Sequence, residues 1–158
     1  MKNIFAFAFL VVLFGCSHEQ KPTLTDEEKG NIVMEIKETL DNYYADIKEG
    51  GLTAELKYLD NSKDFCWMPP GYSSSISFDS VASILKKNAP NYKEIDNKFE
   101  SLTIEAISLD SAMYSGKIRS ILTDTTNTPI TMFLNEKGKL VKRKDGWKLI
   151  SGETTISN

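Results

Sequence analysis

The clearest periodic segment of the chain follows Thr25, where apolar side chains recur three and four residues apart. Thr25 and Glu28 have the spacing of a capping box, and the pair Gly50-Gly51 follows the segment. This spacing predicts a long amphipathic helix that begins at Asp26 and ends at the glycine pair. One stripe of this helix contains Ile32, Val33, Ile36, Leu40, Tyr43 and Ile47.

Shorter apolar segments between residues 53 and 88 predict two further helices and one strand. A short helix is expected from Thr53 to Leu59. The tract 64–68 is short and aromatic, which favours a strand, and Pro69-Pro70-Gly71 ends it. Residues 78–88 carry apolar side chains at helical spacing and precede Pro90, which predicts a third helix.

Beyond Pro90 the period of the pattern changes from helical to alternating. Lys144-Asp145-Gly146 predicts a hairpin turn, and Gly116 in mid-strand indicates a bend or a close approach of another group. Residues 135–138 are compatible with either a tight hairpin or a bulge in one long strand. Helices followed by antiparallel strands predict an α+β fold whose long helix covers one sheet face. The predicted strands are 99–109, 112–122, 128–143 and 147–156.

The first 15 residues differ from the rest of the chain. Lys2 gives a positive start, 4–14 is an uninterrupted apolar run, and Gly15 is a small residue at its end. This order is typical of a signal peptide, and the run is shorter than the roughly 20 residues that a membrane-spanning helix needs. We therefore predict that residues 1–15 are a signal peptide.

The four residues that follow the apolar core, Leu13-Phe14-Gly15-Cys16, resemble the lipobox of bacterial lipoproteins. Phe14 is larger than the residue usual at its position. The resemblance implies a diacylglycerol on the Cys16 sulfur and cleavage just before that residue. Residues 16–25 would then be a lipidated tether, and several acyl chains anchor a protein stably. The expected location is the bacterial cell envelope, with the domain outside the cytoplasm and the membrane as its partner through the lipid.

Charge and histidine content exclude several classes of function. The formal net charge is −3, which does not favour nucleic-acid binding. The one histidine, His18, lies in the predicted tether, so neither a Ser-His-Asp triad nor a histidine-based metal site is expected, and no cofactor is implied. Lipidation of Cys16 would leave Cys66 without a disulfide partner. Cys66 is expected to be a small buried residue of a strand.

Two segments carry a resemblance to a known fold family. "FCWMPPGY" and "RKDGWKLISGETTIS" resemble a strand with its Pro-Gly turn and the closing hairpin of nuclear-transport-factor-like domains, in particular the SnoaL-like, ketosteroid-isomerase-like ones. The resemblance covers residues 26–158 and implies a cone, in which N-terminal helices pack on a curved, mainly antiparallel sheet around a pocket. Members of this superfamily either perform proton-transfer or cyclisation chemistry in the pocket, or bind small molecules, or dimerise.

Strand alternation assigns candidate residues to this pocket. Along the last strand, Trp147, Ser151 and Glu153 would share one face, so Glu153 is the one ionisable group that could occupy the family's polar pocket position. The alternative is that Glu153 lies at an exposed strand end near the C-terminus. A tyrosine hydroxyl from Tyr43, Tyr72 or Tyr114 would assist it. The residues predicted to line the pocket are Tyr43, Trp67, Tyr72, Tyr114, Arg119, Trp147 and Ser151.

Two hypotheses of function follow from these residues. In the first, a lipid-anchored module binds a small apolar or amphipathic ligand, or forms a homodimer through its sheet. In the second, the domain is an enzyme of ketosteroid-isomerase or cyclase type in which Glu153 transfers a proton. The lack of a histidine in the domain, of a metal-ligand cluster and of a phosphate-binding glycine loop favours binding. The sequence is compatible with either an enzyme or a binding protein.

Overall fold

The computed structural model describes residues 23–157, so the predicted signal peptide, Cys16 and His18 lie outside the described residues. Helix α1 spans Asp26–Gly50. Its capping box is formed as predicted: the Thr25 amide donates to Glu28 Oε2 at 2.7 Å, and the Glu28 amide donates to Thr25 Oγ1 at 3.2 Å. Within 23–157, no helix combines the length and apolar character needed to cross a membrane.

Two further helical segments follow in the helical layer: the first contacts α1, and the second contacts the first. Leu52–Tyr58 is a 3₁₀ helix, and α2 spans Phe78–Asn88, the range predicted for the third helix. The short strand β1, Cys66–Met68, lies between them as expected. The Cys66 thiol is exposed, however, and this corrects the expectation that it is buried.

A five-stranded sheet forms the second layer, with the order β1-β5-β4-β3-β2. Neighbouring strands from β2 to β5 are antiparallel, whereas β1 pairs with β5 in parallel. Residues 135–138 continue one long strand, because the pairing between β3 and β4 runs through them without a register shift. The sheet is therefore mainly antiparallel, as predicted. The four long strands are β2 Tyr92–Ser108, β3 Ser111–Asp124, β4 Pro129–Arg143 and β5 Gly146–Ile156.

A β-bulge in β5 decides which side chains face the core. Lys139 pairs with Ser151 and Leu140 with Leu149, which leaves Ile150 as an extra residue. Because side chains alternate along a strand, the extra residue moves every later side chain to the opposite face. Trp147 and Leu149 are buried before the bulge and Thr154 after it, so Ser151 and Glu153 lie on the outer face of the sheet.

The hydrophobic core fills the space between α1, the 3₁₀ helix, α2 and the inner face of the sheet. Its fully buried members come from both layers and include Ile36, Leu40, Ile118 and Leu140. Close packing extends to Gly116, where a Cβ would lie 2.6 Å from the Ser101 carbonyl oxygen, which confirms the predicted close approach. The described residues thus contain a complete two-layer core, so the segment from Thr23 onward can be studied as a folding unit.

Candidate functional site

A cavity of about 250 Å³ lies inside the cone, between the helical layer and the inner face of the sheet. Most of its wall is apolar, with side chains from α2 and from three strands. Such a cavity, apolar with a few converging polar groups, is the usual form of a small-molecule site. The apolar wall includes Val81, Leu85, Ile95, Ile118, Leu122 and Leu134, and the polar groups are Tyr43, Tyr44, Glu55, Trp67, Asn97, Ser120, Glu136 and Thr154.

Glu136 of β4 is the most strongly hydrogen-bonded acid of the cavity. The Tyr114 hydroxyl donates to Glu136 Oε1 at 2.6 Å, and the Thr154 hydroxyl donates to Oε2 at 3.0 Å. The Trp67 indole N–H donates to the Thr154 oxygen at 3.2 Å. Burial raises the pKa of Glu136, and the hydrogen bonds from Tyr114 and Thr154 offset part of that rise. A carboxyl group with several hydroxyl partners is therefore held inside the cone.

Two glycines make room for the rings of this cluster. Gly138 and Gly152 are cross-strand partners in β4 and β5. A Cβ at Gly138 would lie 2.6 Å from the Tyr114 ring, and a Cβ at Gly152 would overlap the Trp67 ring and the Lys137 carbonyl. Trp67 and Tyr114 can therefore pack directly on the backbone of the sheet, which brings their polar atoms to Thr154 and Glu136.

Glu55 is the second acid of the cavity and comes from the 3₁₀ helix. Burial raises its pKa from the ordinary 4.5 to about 7; the Tyr43 hydroxyl lowers it in part, and the charge of Glu136 raises it further. A group with this pKa exchanges its proton near neutral pH. That property is the one required of a general acid or base.

Two polar side chains of the cavity lack partners. The Tyr44 hydroxyl and the Asn97 side-chain oxygen are buried, and neither forms a hydrogen bond with any group of residues 23–157. The Tyr44 hydroxyl lies near the Glu136 carboxyl group and lowers its pKa, but the two groups do not have the geometry of a hydrogen bond. Buried polar groups are nearly always paired, so these two are available to a ligand.

The candidate residues from the sequence are divided between the cavity and other places. Tyr43 and Trp67 lie on the cavity wall, and Tyr114 lies behind Glu136 in the same cluster. Tyr72 is outside it, with 47% of its surface exposed. Arg119 is on the outer face of the sheet, because its neighbours Ile118 and Ser120 point inward.

Three residues of β5 also lie away from the cavity, which corrects their assignment to it. Trp147 is buried, but its indole N–H donates to Glu35 Oε2 at 2.7 Å, under α1. Ser151 and Glu153 are on the outer face because of the bulge at Ile150. There Glu153 Oε1 forms an ion pair with Lys137 Nζ at 2.8 Å. Glu153 therefore cannot act inside the cone.

The sequence pattern did contain a signal for Glu136. It occupies the inward register of β4, in step with Met132, Leu134 and Leu140, and an acid in an apolar register is unusual. The ambiguity over residues 135–138 hid this register. Glu55 gave a weaker signal, because a 3₁₀ helix does not have the period of an α-helix.

Comparisons with known proteins show the fold. No protein-family model matches the sequence, and no curated protein sequence does either. Solved structures match it closely in shape. The chain has the nuclear-transport-factor-like fold. One match is a protein of Novosphingobium aromaticivorans named after scytalone dehydratase, with a TM-score of 0.74, 11% identity, and coverage of 85% of this chain and 89% of that one.

Two further structures show the same fold at similarly low sequence identity. The LinA-type3 hexachlorocyclohexane dehydrochlorinase of Novosphingobium barchaimii has a TM-score of 0.65 and 14% identity, covering 85% of this chain and 92% of that one. A dehydratase-type protein of the NTF2-like family from Streptomyces avermitilis has a TM-score of 0.66 and 14% identity, covering 82% and 98%. These identities show a shared nuclear-transport-factor-like fold and no more, because one fold carries many different functions.

Proposed function

We propose that this domain binds a small, mostly apolar molecule inside the cone. The observation that carries the proposal is the cavity of about 250 Å³, whose apolar wall surrounds a few polar groups. The unpartnered Tyr44 hydroxyl and Asn97 oxygen support it, since a bound ligand would satisfy them. A dry core without a ligand would leave both groups buried at a cost in stability.

A second candidate function is proton transfer within the same cavity, and the pKa of Glu55 favours it. An acid that titrates near pH 7 can both accept and donate a proton under physiological conditions. The dehydratase and dehydrochlorinase structures with this fold are named for eliminations, reactions in which a base removes a proton. In this candidate Glu55, beside Tyr43, takes the role that the sequence pattern had given to Glu153.

The location that we propose is the cell envelope, with the domain held at a membrane by lipid on Cys16. The support is the signal-peptide pattern of residues 1–15 and the lipobox that ends at Cys16. A tether of residues 16–25 would keep the domain close to the lipid surface. Pairing of two copies through the outer sheet face remains a prediction. Phe133 is exposed on that face, but the ion pair of Lys137 with Glu153 makes part of the face polar.

The two tryptophans provide a direct test of binding in the cavity. Trp67 lines the cavity, whereas Trp147 is bonded to Glu35 outside it. A neutral aromatic probe such as benzyl alcohol, titrated into the ¹⁵N-labelled domain from Thr23 to Asn158, should move the Trp67 indole N–H resonance saturably. The Trp147 resonance should stay in place, and Trp147→Phe assigns the two signals. No saturable shift at Trp67 would contradict the proposal.

A further inference from the structure

The charges around the cavity are all of one sign. Within the described residues, no lysine, arginine or histidine lines the cavity, whereas Glu55 and Glu136 both do. The rings of Tyr43, Tyr44 and Trp67 also contribute to its wall. The cavity therefore combines acids and aromatic faces without an internal cation.

Neighbouring cations are engaged elsewhere. Lys57, next to the cavity wall in the 3₁₀ helix, binds Asp46 Oδ2 at 2.7 Å on the surface. Lys137, the residue after Glu136, points to the outer face and pairs with Glu153 at 2.8 Å. Within residues 23–157 the hydrogen-bond partners of Glu136 are hydroxyl groups, and the Tyr43 hydroxyl is the group that favours the ionised form of Glu55. Neither cavity acid has a basic partner among residues 23–157.

We propose that the ligand of this cavity is a small organic cation, an ammonium group carried by an apolar body, held by the carboxylates of Glu55 and Glu136. The inference rests on the proposed function, because it names the chemical class that the binding cavity would select. Charged groups in an apolar interior are costly unless they are paired, so a cation would supply the missing partner. Anions would be repelled by both acids.

The aromatic rings strengthen this selection. Cations are attracted to the faces of tryptophan and tyrosine rings, and the effect is largest where water is excluded. Trp67 of β1 and both Tyr43 and Tyr44 of α1 line the cavity. The apolar wall from α2 and the sheet would receive the body of the molecule, so charge and shape select the same class of ligand.

Binding of a cation is coupled to release of a proton. The titratable groups that face Glu55 are Tyr43 and Tyr44 of α1, Tyr114 of β3 and Glu136 of β4, and none of them is a base. Burial raises the pKa of Glu55 to about 7, and a bound cation favours its charged form. The affinity for a ligand of fixed positive charge should therefore rise between pH 6 and pH 8.

Three probes of nearly equal shape separate the effect of ligand charge on affinity from the effect of ligand shape. Choline carries a quaternary ammonium, 3,3-dimethylbutan-1-ol is its uncharged carbon analogue, and 3,3-dimethylbutanoate is an anion of similar size. Each is titrated into the domain from Thr23 to Asn158 at pH 6 and pH 8, and the Trp67 indole resonance reports binding. Choline should bind about tenfold more tightly than the alcohol at pH 8, and the carboxylate should not bind.

Matched variants then identify the carboxylate that binds the cationic probe. Glu55→Gln should remove most of the advantage of choline over the alcohol, whereas Glu153→Gln on the outer face should change the affinity for neither probe. Equal or tighter binding of the alcohol would overturn the cation inference and leave the binding function standing. Failure of all three probes to shift Trp67 saturably would overturn both.

Discussion

The Tyr114 hydroxyl donates a 2.6 Å hydrogen bond to Glu136 Oε1 inside the cone. The two residues are not cross-strand partners, since Tyr114 pairs with Gly138 and Glu136 with Gly116. The ring of Tyr114 passes over Gly138, which has no side chain to obstruct it, and the hydroxyl reaches the next inward residue of β4. A glycine in one strand thus sets the position of a hydrogen bond two residues away.

Replacing Tyr114 by phenylalanine tests the strength of this bond. Tyr114→Phe removes one donor from a buried acid, so it should lower the free energy of unfolding by about 1 to 3 kcal/mol at pH 8. Urea denaturation measures the change. Tyr58→Phe is the control, because Tyr58 also donates to a carboxylate, Asp46, but at a more exposed site. If Tyr114→Phe lowers the free energy of unfolding no more than Tyr58→Phe does, the hydrogen bond to Glu136 does not have the stabilising role assigned to it.

The packing of Trp67 against Gly152 gives a second prediction. A Cβ at Gly152 would overlap the Trp67 ring and the Lys137 carbonyl, so Gly152→Ala should destabilise the domain by about 1 to 3 kcal/mol and displace Trp67. At Gly30, an exposed position in α1, a Cβ meets nothing within 4 Å. Gly30→Ala should therefore stabilise the domain by about 1 kcal/mol. Thermal unfolding compares the two variants, and equal effects would be inconsistent with the packing.

The raised pKa of Glu55 predicts how stability changes with pH. Between its ordinary pKa of 4.5 and about 7, Glu55 is ionised in the unfolded chain and still protonated in the folded domain. The folded state then holds more protons, so its stability falls as pH rises through this range and levels off above pH 7. The contribution of Glu55 is at most about 3 kcal/mol. Glu136, whose pKa is also raised, acts in the same direction.

Unfolding at pH 5 and pH 8 isolates this effect with one variant. Glu55→Gln should reduce the difference in unfolding free energy between the two pH values, because glutamine does not titrate. Carboxylates with a lowered pKa, such as those of Asp60 and Glu35, stabilise the folded state at both pH values. They lose this effect only as the pH falls below the ordinary pKa of a carboxyl group. An unaltered pH dependence in Glu55→Gln would be evidence against burial of this acid.

The proposed lipid anchor is tested by the two cysteines of the chain. Cys16→Ser should transfer the protein from the membrane fraction to the soluble fraction, because the acyl chains could no longer be attached. Cys66→Ser should leave it at the membrane, since Cys66 lies in the folded domain. Fractionation of bacterial cells measures both. Membrane association that survives Cys16→Ser would refute the anchor.

Much of the fold was predictable because local patterns and tertiary packing agree. The capping box at Thr25, the apolar stripe of α1 and the range of α2 follow from helical periodicity and flanking residues. The hairpin at Gly146, where φ is 112°, follows from the turn residues. Each of these features depends on residues close together in sequence.

The site was less predictable because it depends on register. One extra residue at Ile150 reverses the faces of β5, and it moved Glu153 from the predicted pocket to the outer surface. No local residue pattern marks that bulge. The role of Gly152 is likewise invisible locally, since it becomes apparent only when the Trp67 ring is placed against β5. The bulge that places Glu153 on the outer face of the sheet also places Thr154 on the inner face, where it contacts Glu136.

Glu55 lies on the wall of the cavity as an acid that titrates near neutrality. Carbon-13 NMR of glutamate labelled at the side-chain carboxyl measures this directly, with Glu55→Gln assigning the resonance. A titration of the domain from Thr23 to Asn158 should give a pKa of about 7 for Glu55. A value near 4.5, the ordinary value of a solvated glutamate, would contradict the account.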